Sequence, residues 1–274
     1  MKKLFKIISI SLALLFFAVS SHAAKVSADA PAMSKIVKSG QLVLGTSGNQ
    51  PPMTMLDKNG KPEGFDIDLA DLMAQALGVK LVTKHMEFSK LLDALESGEV
   101  DVVISNITIN PSRNMRVAFV GPYMTSGKCL ITKKENLAKA DDAEELNIPD
   151  MNMVVLKGST SEDIVRTLMP KVKLSTVEDI DKGVKMVADD KVGGMMADYP
   201  VCLHTVNANP DAGFISVFSM LTYEPIGIAL PANDALFVNW TTNFLERLDK
   251  TETLEILAQK WLGNFLKPKA ASAK

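Results

Sequence analysis

Four groups along this chain have the types and spacing for chemistry: Arg113, the Gly158-Ser159-Thr160 turn, Thr108 and Asp198. Arg113 offers a planar fork of donors that can hold a carboxylate through two bonds. Thr108 lies just past an apolar run and adds a hydroxyl. Ser159 and Thr160 stand where a helical pattern begins, and the unpaired N–H groups of a helix start attract anions. Asp198 ends a second apolar run and suits an ammonium group. One half that holds anions and one that holds cations describe a receptor for a small zwitterion. Each group also has a commonplace use, as a surface charge, a helix cap or a turn residue.

Motifs for catalysis do not survive inspection. Gly121 to Cys129 ends in Gly-Lys-Cys like a phosphate loop, but it is one residue too long and has Cys where Mg²⁺ needs Ser or Thr. There is no nucleophile elbow and no His with an evident Ser or Cys partner. Cys129 and Cys202 with His85 and His204 do not make a zinc site. Asn106-Ile107-Thr108 and Asn239-Trp240-Thr241 match only the weak glycosylation pattern. No catalytic residue, metal or cofactor is expected.

The 274 residues are 47% hydrophobic and carry a net charge of −2, enough for one large or two small cores. A pI near 6.0 without a basic cluster gives nucleic-acid binding no electrostatic support. Lys2, Lys3 and Lys6 precede the apolar run Ile7 to Val19, and Ser21-His22-Ala23 fits a small-x-small cleavage site. Residues 1–23 therefore read as a secretory signal peptide, and 24–35, rich in Ala and Ser, as a flexible leader. An exported compartment permits a disulfide between the two cysteines, but two buried thiols are the default expectation.

The elements that must position these groups follow from periodicity. Leu42 to Thr46 reads as a short buried strand that ends in the turn from Ser47 to Pro52. Apolar residues at 65, 69, 72, 73, 76 and 77 give a helix from Phe65 to Leu77, stopped by Gly78. Leu91, Leu92 and Leu95 face one side of a second helix, stopped by Gly98 and followed by the strand Val100 to Ile104. This helix–turn–strand unit is echoed about ninety residues later, from Gly183 to Asp198. Asn106 and Asp198 would then be equivalent strand-end positions in two similar lobes. A single continuous sheet is the competing arrangement. Ligands of open α/β sheets sit beyond the carboxyl ends of strands, where both residues fall. The remaining strands are expected at 80–83, 129–132, 153–156, 215–218 and 226–230, and closing helices at 234–250 and 253–261.

The chain resembles the family 3 extracellular solute-binding proteins, the periplasmic amino-acid receptors of ABC importers. The likeness runs from Leu42 to Gly263. It rests on Gly45-Thr46 with Pro51-Pro52, Gly64-Phe65-Asp66-Ile67-Asp68-Leu69-Ala70 and Asp101-Val102-Val103-Ile104-Ser105. Thr108 with Arg113, Pro122-Tyr123, Lys157-Gly158-Ser159-Thr160-Ser161, Ala197-Asp198, Pro225-Ile226-Gly227-Ile228-Ala229 and Lys260-Trp261-Leu262-Gly263 complete it. The resemblance implies a two-lobed α/β fold of the type II-like periplasmic-binding-protein kind, each lobe a mostly parallel sheet flanked by helices, with two crossing segments. Lobe 1 would comprise 36–124 plus 225–274 and lobe 2 125–224, with hinges at 125–127 and 219–224.

It also implies roles. Arg113 and Thr160, helped by Thr108 and the Ser159 turn, would hold the ligand carboxylate. Asp198 with the Ser105 carbonyl, beside Asn106, would hold the amine, and Phe88 would present its ring to the side chain. Many members carry a second aromatic just before Pro51-Pro52, where this chain has Asn49-Gln50. Gln50 could instead hydrogen-bond a polar side chain, while Met53 and Met124 could line an apolar slot. Ser47 stands where some receptors for basic amino acids carry Asp, which weakens a lysine or arginine ligand. The expected partners are an amino acid and an inner-membrane ABC permease, with the protein a monomer in the periplasm. The alternatives are an exported dehydratase-type enzyme, with Glu87 or Glu224 as its acid, and a ligand-sensing protein.

Overall fold

The computed structural model of the protein describes residues 29–140, 143–217 and 222–263. The expected signal peptide, residues 24–28 of the leader and part of the second crossing lie outside these. Helix α1 (Pro31–Ser39) begins inside the stretch expected to be a flexible leader. Pro31 occupies a first-turn position where its missing N–H costs nothing. Met33 and Ile36 are buried, and the Met33 N–H donates to Asp234 Oδ2 at 2.9 Å. The Ala- and Ser-rich composition hid an apolar pair at helical spacing.

Strand β1 (Gln41–Thr46) follows, then β2 (Asn49–Gln50), β3 (Thr54–Leu56) and β4 (Pro62–Glu63) of a small antiparallel sheet. Helix α2 (Phe65–Leu77) has the bounds its apolar spacing predicts, with Gly78 at φ 69° closing it. Gly64, before it, sits at φ 133°, and a Cβ there would lie 2.3 Å from the Met53 carbonyl oxygen, so only glycine fits. Next come β5 (Lys80–His85), α3 (Leu91–Glu96), β6 (Val102–Val103), α4 (Pro111–Asn114), β7 (Ala118–Ser126) and β8 (Lys128–Thr132). The chain continues through α5 (Ala143–Leu146), β9 (Asn152–Leu156), α6 (Thr160–Leu168), β10 (Lys173–Val177), α7 (Ile180–Ala188) and β11 (Gly194–Asp198). It closes with α8 (Tyr199–Ala208), β12 (Ile215–Val217), β13 (Glu224–Leu230), α9 (Ala235–Lys250) and α10 (Thr253–Leu262).

Among the described residues the long strands form two separate five-stranded sheets, ordered β5-β1-β6-β13-β7 and β10-β9-β11-β8-β12. This is a two-lobed α/β fold and not the competing single sheet. In each sheet four strands run one way, and the fifth, β13 or β8, opposes them. The opposing strand is in both cases the one that has just arrived from the other sheet. Only Gly127 separates β7 of the first sheet from β8 of the second.

The central strands of both sheets are buried on two faces, which explains their near-continuous apolar runs. Successive side chains alternate sides. Leu42, Leu44, Val102, Ile104, Ile226 and Ile228 pack with α1, α2 and α9 residues, whereas Val103 and Ala229 turn to the opposite face. In the second sheet Met153, Val155, Leu130 and Met196 line the outer face, and Val154, Cys129 and Met195 the inner one. The two inner faces belong to one apolar cluster that runs from Phe88 and Leu91 to Ile180 and Val201. The C-terminal helix is fixed to α2 by Asp68, whose Oδ2 accepts from Lys260 Nζ and Trp261 Nε1, each at 2.6 Å. Among the described residues no helix is long and apolar enough to cross a membrane.

Cys129 and Cys202 are bonded, against the default of two thiols. Cys129 pairs in register with Ala197, and α8, starting directly after β11, carries Cys202 back over it. The Cα atoms lie 6.5 Å apart, within disulfide range. The bridge spans 73 residues, so the chain-entropy model gives it about 4 kcal/mol of stability. Urea denaturation with and without a reductant should show a loss of that order, and unreduced, unfolded protein should titrate no free thiol.

One carboxyl ties α2 to the loop after β6. Asp66 is fully buried; its Oδ1 accepts from Tyr123 Oη and its Oδ2 from the Asn106 N–H, both at 2.7 Å. Burial pushes its pKa up from 3.8 to about 7, despite these two donors. The folded state therefore binds the proton more tightly than the unfolded chain. Asp66's contribution is favourable below about pH 4 and is lost as pH rises to about 7. Denaturation across this range should show the stability difference between wild type and Asp66→Asn shifting by a few kcal/mol in favour of the variant toward neutral pH.

Candidate ligand-binding site

The cleft between the sheets is built from strand ends and the loops that follow them. β6 leads through Ser105 to Asn106, and β11 ends on Asp198. The two positions matched in the internal repeat meet directly: Asn106 Nδ2 donates to Asp198 Oδ2 at 3.1 Å. Asn106 adopts φ 48°, a left-handed conformation that Asn tolerates better than most residues, and its N–H is held by Asp66. Its amide also donates to Gln50 Oε1 at 3.2 Å. Gln50 Nε2 donates to the Ser105 carbonyl at 3.1 Å and to Ser47 Oγ at 3.3 Å. Ser105, Asn106 and Gln50 thus form one buried polar wall.

Deeper in the cleft, four formal charges are gathered with little access to water. Lys128 Nζ donates to Asp198 Oδ1 at 2.5 Å and lies 3.5 Å from Glu224 Oε2. Glu224 Oε2 also accepts from the hydroxyls of Thr108 at 2.8 Å and Thr160 at 2.9 Å, and its Oε1 from Thr222 at 3.0 Å. Burial raises the Glu224 pKa, but Lys128 and the hydroxyls of Thr108, Thr160 and Thr222 outweigh it and leave the group below its ordinary value. Local pairing explains the geometry. Residues 107–109 run beside the start of β13, with Ile109 N–H donating to the Pro225 carbonyl at 2.7 Å, which sets Thr108 next to Glu224.

Arg113 rises from α4, whose first turn is capped by Asn110. Its two terminal nitrogens donate to the carbonyls of Thr108 at 2.8 Å and Gly158 at 3.0 Å. Its guanidinium lies 5.6 Å from the centre of the Phe88 ring. Burial lowers its pKa, and the carboxylates of Asp163, Asp198 and Glu224 oppose that shift. The Gly158 bond crosses from lobe to lobe. Like the Asn106–Asp198 bond, one from Asn49 Nδ2 to the Glu178 carbonyl at 2.8 Å also crosses. Gly158, at φ 74°, approaches Ser89 so closely that a Cβ would meet the serine at 3.0 Å.

Arg113, Thr108, Ser105, Asn106, Thr160, Asp198, Phe88 and Gln50 all border this one region. Ser159 differs: its hydroxyl donates to the Leu156 carbonyl at 2.6 Å and caps the Glu162 N–H at 3.3 Å, so it serves the helix start. Phe88 turns its ring to Arg113. Lys128 was missed, although a lysine opening an apolar strand was the available signal. Glu224 entered the sequence reading only as a possible acid. Among the described residues no group of three or more His, Cys, Asp and Glu could hold a metal.

Comparison with known proteins agrees with this architecture. The model of the bacterial extracellular solute-binding proteins, family 3, matches residues 42–264. The L-cystine-binding protein TcyJ of Escherichia coli K12 is 25% identical over 245 residues, 89% of this chain and 91% of its own. The cyclohexadienyl dehydratase of Pseudomonas aeruginosa is 25% identical over 230 residues, 84% of this chain and 85% of its own. An ancestral arginine-binding protein, solved with arginine, shares 34% identity and superposes with a TM-score of 0.77 over 82% of this chain and 99% of its own. With its two sheets, its crossing strands and this match over most of its length, the chain belongs to the family 3 bacterial extracellular solute-binding proteins.

Proposed function

We propose that this protein captures a free α-amino acid in the periplasm and delivers it to an ABC permease of the inner membrane, acting as a monomer. The observation that carries this reading is how the buried charges are paired. The Thr108 and Thr160 hydroxyls already converge on a carboxylate, that of Glu224, and Asp198 already accepts from an ammonium, that of Lys128. These internal groups stand in for the two ends of a zwitterion. A bound amino acid would take its carboxylate to Arg113, Thr108 and Thr160, with the N–H groups of the Ser159 turn nearby. Its ammonium would go to Asp198 and the Ser105 carbonyl. Asn106, Gln50 and the Phe88 ring would border its side chain.

Capture would proceed by hinge closure, with lobe 1 comprising 36–124 plus 225–274 and lobe 2 comprising 125–224. The single residue between β7 and β8 supports a hinge at 125–127. The second, at 219–224, falls partly outside the described residues. A ligand favours closure only through bonds made to both lobes, and Arg113 on one side with Thr160 and Asp198 on the other meet that requirement.

The dehydratase relative makes an enzymatic reading worth weighing. Removing a hydroxyl group calls for a protonated acid at neutral pH. Glu224 is held below its ordinary pKa, and Glu87 pairs with Lys90 at the surface, 3.0 Å away. Binding without chemistry accounts for the site better.

A thermal-shift screen of amino acids should raise the melting temperature for a subset of them, because a ligand of the folded state stabilises by mass action. Arg113→Ala should weaken the best ligand by roughly 2–5 kcal/mol in titration calorimetry, the cost of truncating one member of a buried charge pair. Unchanged affinity would remove Arg113 from the site.

A further inference from the structure

Lys128 is almost fully buried at the head of a β-strand, and amino-acid capture as described uses its ammonium only as a stand-in for the ligand's. An ammonium leaves water at high cost, and its place here is compensated by Asp198 and Glu224. Lys128 and Asp198 are register partners on the antiparallel strands β8 and β11. Their pairing belongs to one sheet and does not depend on the lobes being shut. The charges lining the cleft cancel: Arg113 and Lys128 are positive, Asp198 and Glu224 negative. Asp163, whose field reaches Arg113, is exposed. Asp66 accepts from Tyr123 and the Asn106 N–H, and burial, acting against these two donors, raises its pKa to about 7. Without Lys128 the same cleft would carry a net negative charge and would suit a ligand with a second cation.

We propose that Lys128 is the specificity-determining residue of this site: a resident counter-cation that makes the cleft accept amino acids of zero net charge and reject lysine and arginine. The inference rests on the amino-acid reading above. A neutral amino acid brings one carboxylate and one ammonium into a balanced site. Lysine or arginine brings an extra positive charge beside an ammonium that burial and its two carboxylate partners, Asp198 and Glu224, hold in place. Discrimination of this kind comes from built-in repulsion as much as from attraction.

The test compares ligand classes by charge. A thermal-shift panel of the twenty standard amino acids, followed by titration calorimetry of the hits, should rank a net-neutral amino acid first for the wild-type protein. Lysine and arginine should bind at least about tenfold more weakly. In Lys128→Met the affinity of lysine or arginine relative to that neutral ligand should rise by at least about tenfold. Glu224→Gln, which leaves one surplus positive charge and nearly preserves shape, should move the preference toward glutamate and aspartate. This second variant keeps the test decisive if Lys128→Met fails to fold. Lysine or arginine as the strongest wild-type ligand, or unchanged charge preference in Glu224→Gln, would overturn the assignment. Wild-type protein that binds none of the twenty would overturn the amino-acid reading itself, a result distinct from a misassigned Lys128.

Discussion

Lys128, Asp198, Glu224 and Arg113 are held out of water within one cleft, and the surrounding structure is organised around satisfying them. A buried ion costs several kcal/mol unless partners replace its hydration, and here each ion has at least two. Lys128 has two carboxylates, Glu224 adds three hydroxyls, and Arg113 has two carbonyls and a ring face. The partners come from both sheets and from the loops that leave them. Neither lobe could satisfy the cluster alone, so the charges define where the lobes meet.

The topology brings these partners together with few residues. Each sheet contains one strand that opposes the rest, and that strand has just crossed from the other lobe. β8 presents Lys128 at its first residue, and β13 presents Glu224 at its first residue. Glu224 pairs in register with Ser126, two positions before Lys128. The parallel strands supply the other half, since their carboxyl ends point into the same cleft and carry Asn106 and Asp198. The apolar cluster shared by the inner faces of the two sheets keeps these ends aligned.

Much of this was legible in the sequence because it depends on local rules. The bounds of α2 follow from apolar spacing and a glycine stop. The start of α6 follows from Ser159, which caps the Glu162 N–H, and from Glu162, whose carboxylate accepts from the Gly158 N–H. The internal repeat pointed to Asn106 and Asp198, which touch. What escaped depends on pairing between distant segments. Strand β10 (Lys173–Val177) is mostly exposed and polar, so only its register with β9 marks it as a strand. The disulfide is set by the pairing of β8 with β11 and the direct passage from β11 into α8, which composition does not encode. Lys128 gave no periodic signal, since a buried lysine makes sense only beside carboxylates supplied 70 and more residues away.

Gly127 has a mechanical consequence. On the hinge proposed at 125–127, parting the lobes would pivot close to Lys128 and Glu224, where displacements are small. The Arg113–Gly158 and Asn49–Glu178 bonds run from α4 and β2 to loops after β9 and β10, not from the crossing strands. They would act as latches on a longer lever arm and release before the inner ions moved appreciably. The electrostatic heart of the molecule would then stay nearly stationary while the rim does the travelling.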